Sequence, residues 1–229
     1  MKRVSYGVPG LDAITGGGIP EGQIVLLSGA PGTGKTTICI QYIYEGLKKS
    51  NENGVFISFE ETPESMREEY REMGYDFSPY EKSGRFSFMN HDPYHIEEVF
   101  DILESTIRQI GAKRVVIDSI SALGLHVRDK AELRRMIFNL SVILKKLGCT
   151  SIMVSEIVPG SSGISRYGVE EFVADSVVVL YYERNNLTFN RAIQVWKMRG
   201  SNHSNKLHPY KITEKGVIVR PEEEAFMKE

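Results

Sequence analysis

Cysteine is almost missing from this sequence: Cys39 and Cys149 are the only two in 229 residues, far apart and without a CxxC spacing. That argues against a disulfide framework and a thiolate zinc cage, and a reducing compartment fits better than a secreted setting. An excess of charge of one sign is missing too. Lys plus Arg number 28 against 30 Asp plus Glu, a formal charge of −2. Bulk attraction to nucleic acid is therefore not expected, although a local basic loop could still act. No apolar run approaches the length of a membrane span, and the opening Met1-Lys2-Arg3-Val4-Ser5-Tyr6-Gly7 meets Pro9 and Gly10 without a signal core. A soluble, cytoplasmic protein with no membrane contact is the expectation. Internal repeats and low-complexity linkers are also lacking. One domain over residues 1–229 is expected, with 1–20 as an N-terminal segment and 220–229 as a flexible acidic tail.

What remains is ordinary globular material, 41% hydrophobic and 25% charged, enough for one substantial α/β domain or two small ones. Short β-branched runs recur at Ile24–Leu27, Val55–Phe59, Val115–Ile117, Ile152–Val154 and Val177–Leu180. They are continuous rather than alternating, as in strands buried on both faces of a parallel sheet. Helical stripes lie between them. Val99, Ile102, Leu103, Ile107 and Ile110 form one, with Asp92 as cap, Pro93 in the first turn and Gly111 at the end. Leu133, Met136, Ile137, Leu140, Leu144 and Leu147 form another between Asp129 and Gly148, and Thr62-Pro63 opens a charged helix running to Gly74. The alternation reads as an open, mostly parallel sheet with helices on both faces. Beyond Leu180, a hairpin turning at Asn185-Asn186 and a strand pair at Tyr210–Ile212 and Val217–Val219 are expected to extend the sheet edge.

Gly29-Ala30-Pro31-Gly32-Thr33-Gly34-Lys35-Thr36 satisfies GxxxxGK[ST] at every fixed position, between a predicted strand and a predicted helix. The glycines let successive N–H groups converge on a phosphate, and the helix N-terminus adds its positive dipole end. Residues 30–37, Ala30, Pro31, Gly32, Thr33, Gly34, Lys35, Thr36 and Thr37, are the expected nucleotide cradle. Lys35 would reach the β- and γ-phosphates, and Thr36 would place its hydroxyl on Mg²⁺. Asp118, ending the strand Arg114–Ile117, is placed to hold the same ion. Glu60 and Glu61 end another strand. As carboxylates near a γ-phosphate they could orient water, or they could simply favour the N-terminus of the next helix. Spacing leaves those two readings equal.

Together these segments resemble the KaiC-like ATPases of the RecA superfamily. The matching stretches are Ile14–Gly22, the phosphate loop, Phe59–Pro63, Val116–Ser119, Arg166–Phe172, and Lys197-Met198-Arg199-Gly200-Ser201 with His203. The resemblance implies a RecA-like P-loop NTPase core with C-terminal antiparallel strands, and ATP and Mg²⁺ as cofactors. It implies Glu60 as catalytic base with Glu61 as helper, and Ser155-Glu156 as a γ-phosphate sensor. It also implies that Lys197 and Arg199 reach the phosphates of a neighbouring subunit in a homo-oligomeric ring, six by analogy. KaiC clock proteins carry two such domains, the second with adjacent Ser and Thr phosphorylation sites near the segment that here reads Glu170-Glu171-Phe172-Val173. One domain and no such pair argue against autokinase activity and a clock role.

A regulatory or signalling ATPase with slow turnover is the leading expectation. A recombinase-type motor binding single-stranded DNA in a central channel is the alternative, through His126, Arg128, Lys130 and Arg166. It is not favoured, because several phosphate contacts are needed and the loop Val158–Gly163 is nearly uncharged. A small-acceptor kinase ranks low for want of an Arg-rich lid, and a non-hydrolysing binding module conflicts with intact Lys35, Glu60 and Asp118. His91 and His95 are not expected to form a metal site, because Pro93 separates them.

Overall fold

The computed structural model describes residues 1–92, 96–125, 127, 129–185 and 188–225. Its elements in chain order are β1 (Arg3–Val4), α1 (Leu11–Ile14), β2 (Ile19–Pro20), β3 (Ile24–Gly29), α2 (Lys35–Glu45), β4 (Asn53–Ser58), α3 (Pro63–Glu72), α4 (Ser78–Lys82), β5 (Phe86–Asn90) and α5 (Ile96–Ile110). They continue with β6 (Ala112–Asp118), α6 (Lys130–Lys146), β7 (Thr150–Glu156), α7 (Glu170–Val173), β8 (Ser176–Asn185), β9 (Thr188–Met198), β10 (His208–Thr213) and β11 (Gly216–Val219). Nine strands make one sheet in the order β11-β10-β9-β8-β3-β7-β6-β4-β5. From β8 to β5 every neighbour is parallel, whereas β9, β10 and β11 add antiparallel. The expected mostly parallel sheet with antiparallel C-terminal strands is what forms.

The continuous apolar strands are explained by two cores. Val25 and Leu27 of β3 pack with Ile38, Ile40 and Ile43 of α2 and with Met66 and Tyr70 of α3. Ile24 and Leu26 face the other way, toward Val99, Leu103 and Ile107 of α5 and Leu133, Ile137 and Leu140 of α6. Successive strand side chains point to opposite faces, so a strand covered on both sides must be apolar at every position. The caps follow the sequence as well: Thr62 accepts from Ser65 N–H at 3.3 Å, Asp129 accepts from Ala131 N–H at 3.0 Å, and Gly111 and Gly148 take positive φ at the helix ends.

Several expectations need correction. Strand β5 pairs parallel with β4, and β1, β2 and α1 organise the N-terminal segment; none of these was read from the sequence. The turn expected between Ile212 and Val217 is short, because Gly216 already pairs with Thr213 as the first residue of β11. Residues 220–225 are not a free tail. Ala225 N–H donates to Leu207 O at 2.9 Å, Arg220 pairs with Glu223 at 2.8 Å, and Lys206 pairs with Glu224. His208, 3% exposed, lies against Glu223 O and Ser204 Oγ. The expectations for Pro93, His95, His126, Arg128, Asn186 and residues 226–229 lie outside the described residues.

Arg114 on β6 is 1% exposed and joins four segments. Its guanidinium pairs with Glu52 at 2.7 Å, donates to Ser5 O and Tyr42 O at 2.8 and 2.7 Å, and stacks on the Tyr42 ring. A buried cation needs this degree of satisfaction. The room comes from Gly46, where the chain passes from α2 into a wider turn over Gly46–Ser50; a Cβ there would meet Arg114 Cδ and Nε at 2.4 Å. Gly46 has an ordinary helical φ of −59°, so the constraint is space, not conformation. Gly46→Ala is expected to cost about 1–3 kcal/mol by overpacking, read as a lower denaturant midpoint with an unchanged slope. An unchanged midpoint would show that Arg114 can move aside.

Candidate active site

Strand β3 ends at Gly29 and the phosphate loop crosses into α2 through Gly32 and Gly34, both at positive φ (78° and 86°). Thr33 Oγ1 donates to Ala30 O at 2.7 Å and Lys35 Nζ to the same carbonyl at 3.2 Å, which closes the loop on itself. Gly29 has no room for a side chain, because a Cβ would meet Thr33 Oγ1 at 2.8 Å and Leu180 O at 2.9 Å. The outer wall comes from the antiparallel strands. Tyr210 Oη donates to Thr33 O at 2.6 Å, and Arg191 reaches Gly32 O at 3.2 Å while lying 4.1 Å over the Tyr182 ring. Tyr182, Arg191 and Tyr210 were not singled out in the sequence. The pairing of Asn185 with Thr188 is what sets Tyr182 opposite Arg191, and residue identity alone does not show that.

Three strand ends converge beside the loop. Asp118 ends β6 and accepts a hydrogen bond from Thr36 Oγ1 at 2.8 Å. β4 lies next to β6, with Ser58 opposite Asp118. Ser58 Oγ accepts from the N–H groups of Glu60 and Glu61 at 3.2 and 2.9 Å, and Asn90 at the end of β5 donates to Glu61 O at 2.9 Å. Those bonds fix the turn that carries both glutamates. Glu60 is exposed and Glu61 half-buried. Burial raises the Glu61 carboxyl above its usual range, with Glu69 and Glu60 adding to it. Lys35 is 8% exposed; burial lowers it, opposed by Asp118, Glu156 and Glu60. The cradle, Asp118 and the glutamate pair are thus brought together. The hydroxyl of Thr36 and the carboxylate of Asp118 are hard oxygen donors that suit Mg²⁺, and the glycine cradle suits phosphates.

Of the remaining candidates, Ser155 and Glu156 stand opposite Ser28 and Gly29 at the rim of the cradle, whereas Lys197 and Arg199 lie away from it. Ser155 is buried and bonded to Glu170 at 3.0 Å, so its hydroxyl is already engaged; Glu156 pairs with Arg166 at 3.5 Å. That pairing also engages Arg166, one of the four residues through which the DNA-binding alternative would act. Lys197 stands opposite Val177, itself beside Leu26, three residues before Gly29. It is therefore about 10 Å back along the sheet, and its Nζ donates to Glu171 O at 2.6 Å. Arg199 lies just past β9 and approaches Asp175 at 3.7 Å. Neither cation joins its own chain's cradle. Among the described residues no helix is long and apolar enough to cross a membrane.

A parallel sheet with a glycine cradle after its central strand and an acidic residue ending a nearby strand defines a P-loop nucleoside triphosphatase of the RecA type. The family model described as "ATPase: KaiC" matches residues 4–224. The chain belongs to that family. It is 39% identical to a UPF0273 protein of Methanocaldococcus jannaschii over 97% of this chain and 98% of the relative. It is 34% identical to the circadian clock protein KaiC3 of Synechocystis over 96% of this chain and 46% of that longer protein. The crystal structure of a KaiC-like protein from Pyrococcus horikoshii superposes with a TM-score of 0.88 at 38% identity, covering 96% of this chain and 99% of that one.

The Asp118 carboxyl is pushed up to about 6 by burial, against the Thr36 hydrogen bond and Lys35, which pull it down. Its folded value lies above the ordinary 3.8, so the folded state holds the proton more tightly and stability falls as pH rises from about 4 to about 6. In protein free of metal and nucleotide, Asp118→Asn should therefore raise the melting temperature more at pH 7 than at pH 4. Equal effects at the two pH values would contradict this assignment.

Proposed function

We propose that the chain is a Mg²⁺-dependent ATPase that works as a homo-oligomeric ring, with each nucleotide held by one subunit and reached by the cations of the next. The observation that carries this reading is the separation between the complete cradle at Lys35, Thr36 and Asp118 and the pair Lys197 and Arg199, set back along the sheet behind β8. Bound Mg²⁺ would neutralise charge on the β- and γ-phosphates, with Thr36 and Asp118 as its protein partners. Lys35 supplies the fixed charge within the cradle. Glu60, exposed at the strand end, orients and deprotonates the attacking water, and the half-buried Glu61 supports it. Lys197 and Arg199 of the adjoining subunit add the charge-stabilising contact, which in such enzymes contributes about 10³–10⁵ in rate. Six subunits and adenine preference are what the KaiC resemblance implies. The same resemblance, with no Ser-Thr pair at Glu170-Glu171, supports a regulatory or signalling switch of slow turnover in the cytoplasm rather than a clock kinase.

Two measurements test the reading. Glu60→Gln should lower hydrolysis by about 10²–10⁴ while ATP binding persists, and wild-type turnover in that variant would remove Glu60 from its role. Lys35→Ala loses the cradle and keeps the cations, and Arg199→Ala does the reverse. Exchanged mixtures of the two should hydrolyse ATP faster than either alone. No gain on mixing would defeat the assignment of Arg199 to a neighbour's site.

A further inference from the structure

We infer that Glu170 is a positioning residue for the cation pair: it locks α7 in place so that the carbonyl of Glu171 aims Lys197 at the neighbouring subunit's nucleotide. This rests on the ring reading above and adds a residue to it.

Glu170 is 1% exposed, and a carboxylate removed from water must find charge or hydrogen bonds. What surrounds it is a set of donors. Ser155 Oγ lies at 3.0 Å from Oε1, and Ser165 Oγ lies at 2.8 Å from Oε2 and at 2.5 Å from the Glu171 carboxylate, so its one proton is shared between the two. The N–H of Val169 reaches Oε2 at 3.0 Å and that of Tyr167 reaches both oxygens at 3.3 Å. Ser155 belongs to β7, whose next residue, Glu156, is paired with Gly29 at the mouth of the cradle. Ser165, Tyr167 and Val169 belong to the segment that leads into α7. One side chain therefore binds the central sheet, the loop and the helix together.

The helix needs such a tie. It has four residues and no side-chain cap, and a turn that short does not hold itself by propensity. Its second residue, Glu171, accepts Lys197 Nζ at 2.6 Å through its backbone carbonyl, the one hydrogen bond the Lys197 ammonium makes among the described residues. A carbonyl cannot turn without the backbone that carries it. The placement of α7 therefore dictates where the lysine head sits, and Glu170 dictates the placement of α7.

Glu170→Gln keeps the shape but replaces one acceptor oxygen with an NH₂ donor facing donors. We expect turnover to fall by about 10²-fold, the scale of a small misplacement of a charge-stabilising group, with ATP affinity within about twofold of wild type because the cradle is intact. The defect should travel with the subunit that donates the cations. Mixed with Lys35→Ala, Glu170→Gln should recover hydrolysis as Arg199→Ala does, and the Glu170→Gln/Lys197→Met double variant should be no slower than Lys197→Met. In nucleotide-free protein, reductive methylation of Lys197 should accelerate several-fold in Glu170→Gln. If Glu170→Gln fails to fold, Ser165→Ala removes the hydroxyl that this carboxylate shares with that of Glu171 and takes its place. Recovery by Arg199→Ala but not by the Glu170 variant would overturn the proposal and leave the ring reading standing. Failure of both mixtures would overturn both. Wild-type turnover or an unchanged methylation rate would also overturn it.

Discussion

Strand β3 is hydrogen-bonded to β7 along one edge and to β8 along the other, and all six of its residues are buried. The backbone leaving Gly29 consequently has a fixed origin and direction, and the phosphate loop inherits both. Ile157 N–H donates to Gly29 O and Gly29 stands opposite Leu180 and Glu156, so the rim of the cradle is shared by three strands. The loop can therefore hold its glycines in conformations open to few other residues, because the sheet over-determines its ends. The same geometry brings Asp118 within 2.8 Å of Thr36 although 82 positions separate them in the chain.

Placing Lys35 and Asp118 in a buried site disfavours both charges: burial lowers the lysine and raises the aspartate. Each is the other's partial remedy, since a nearby opposite charge favours the ionised form. The pair is thus held in a state that a polyphosphate and a divalent cation would relieve from both sides, the phosphate meeting Lys35 and the cation meeting Asp118. A site that is electrostatically under-satisfied when empty is preorganised for its ligand, and preorganisation is what makes fixed charges effective against a developing one.

The parallel core and the cradle were legible in the sequence because each rests on local rules. Ile24–Leu27 and Val177–Leu180 are apolar at every position since both faces are covered, and the phosphate loop's glycines are set by short-range stereochemistry. What was missed depends on long-range placement. Phe86-Ser87-Phe88-Met89-Asn90 is an edge strand with one polar residue inside it, a weaker pattern than its neighbours. Residues 220–225 read as acidic tail because the partners that hold them, Lys206, Leu207 and His208, lie more than ten residues away. Glu170, beside Glu171, reads as surface charge; only the fold shows it buried beneath hydroxyls. Tyr182 and Arg191 become neighbours only through hairpin register.

The direction of the sheet also bears on how activity and assembly are connected. The parallel strands present their carboxyl ends to the cradle, and β9 runs the opposite way, so its own carboxyl end delivers Lys197 and Arg199 toward the amino ends of those strands. Val177, opposite Lys197, packs in the α5/α6 core, whereas α2 and its loop cover the other face. A side chain of about 6 Å reach cannot cross both the sheet and the distance back to Gly29. On the ring reading proposed above, such a chain would hold both halves of a charge-stabilising constellation and could not bring them together alone. Catalytic completeness would then be a property of contact between copies, and any event that tilts one copy against the next would act on turnover directly, without touching the cradle.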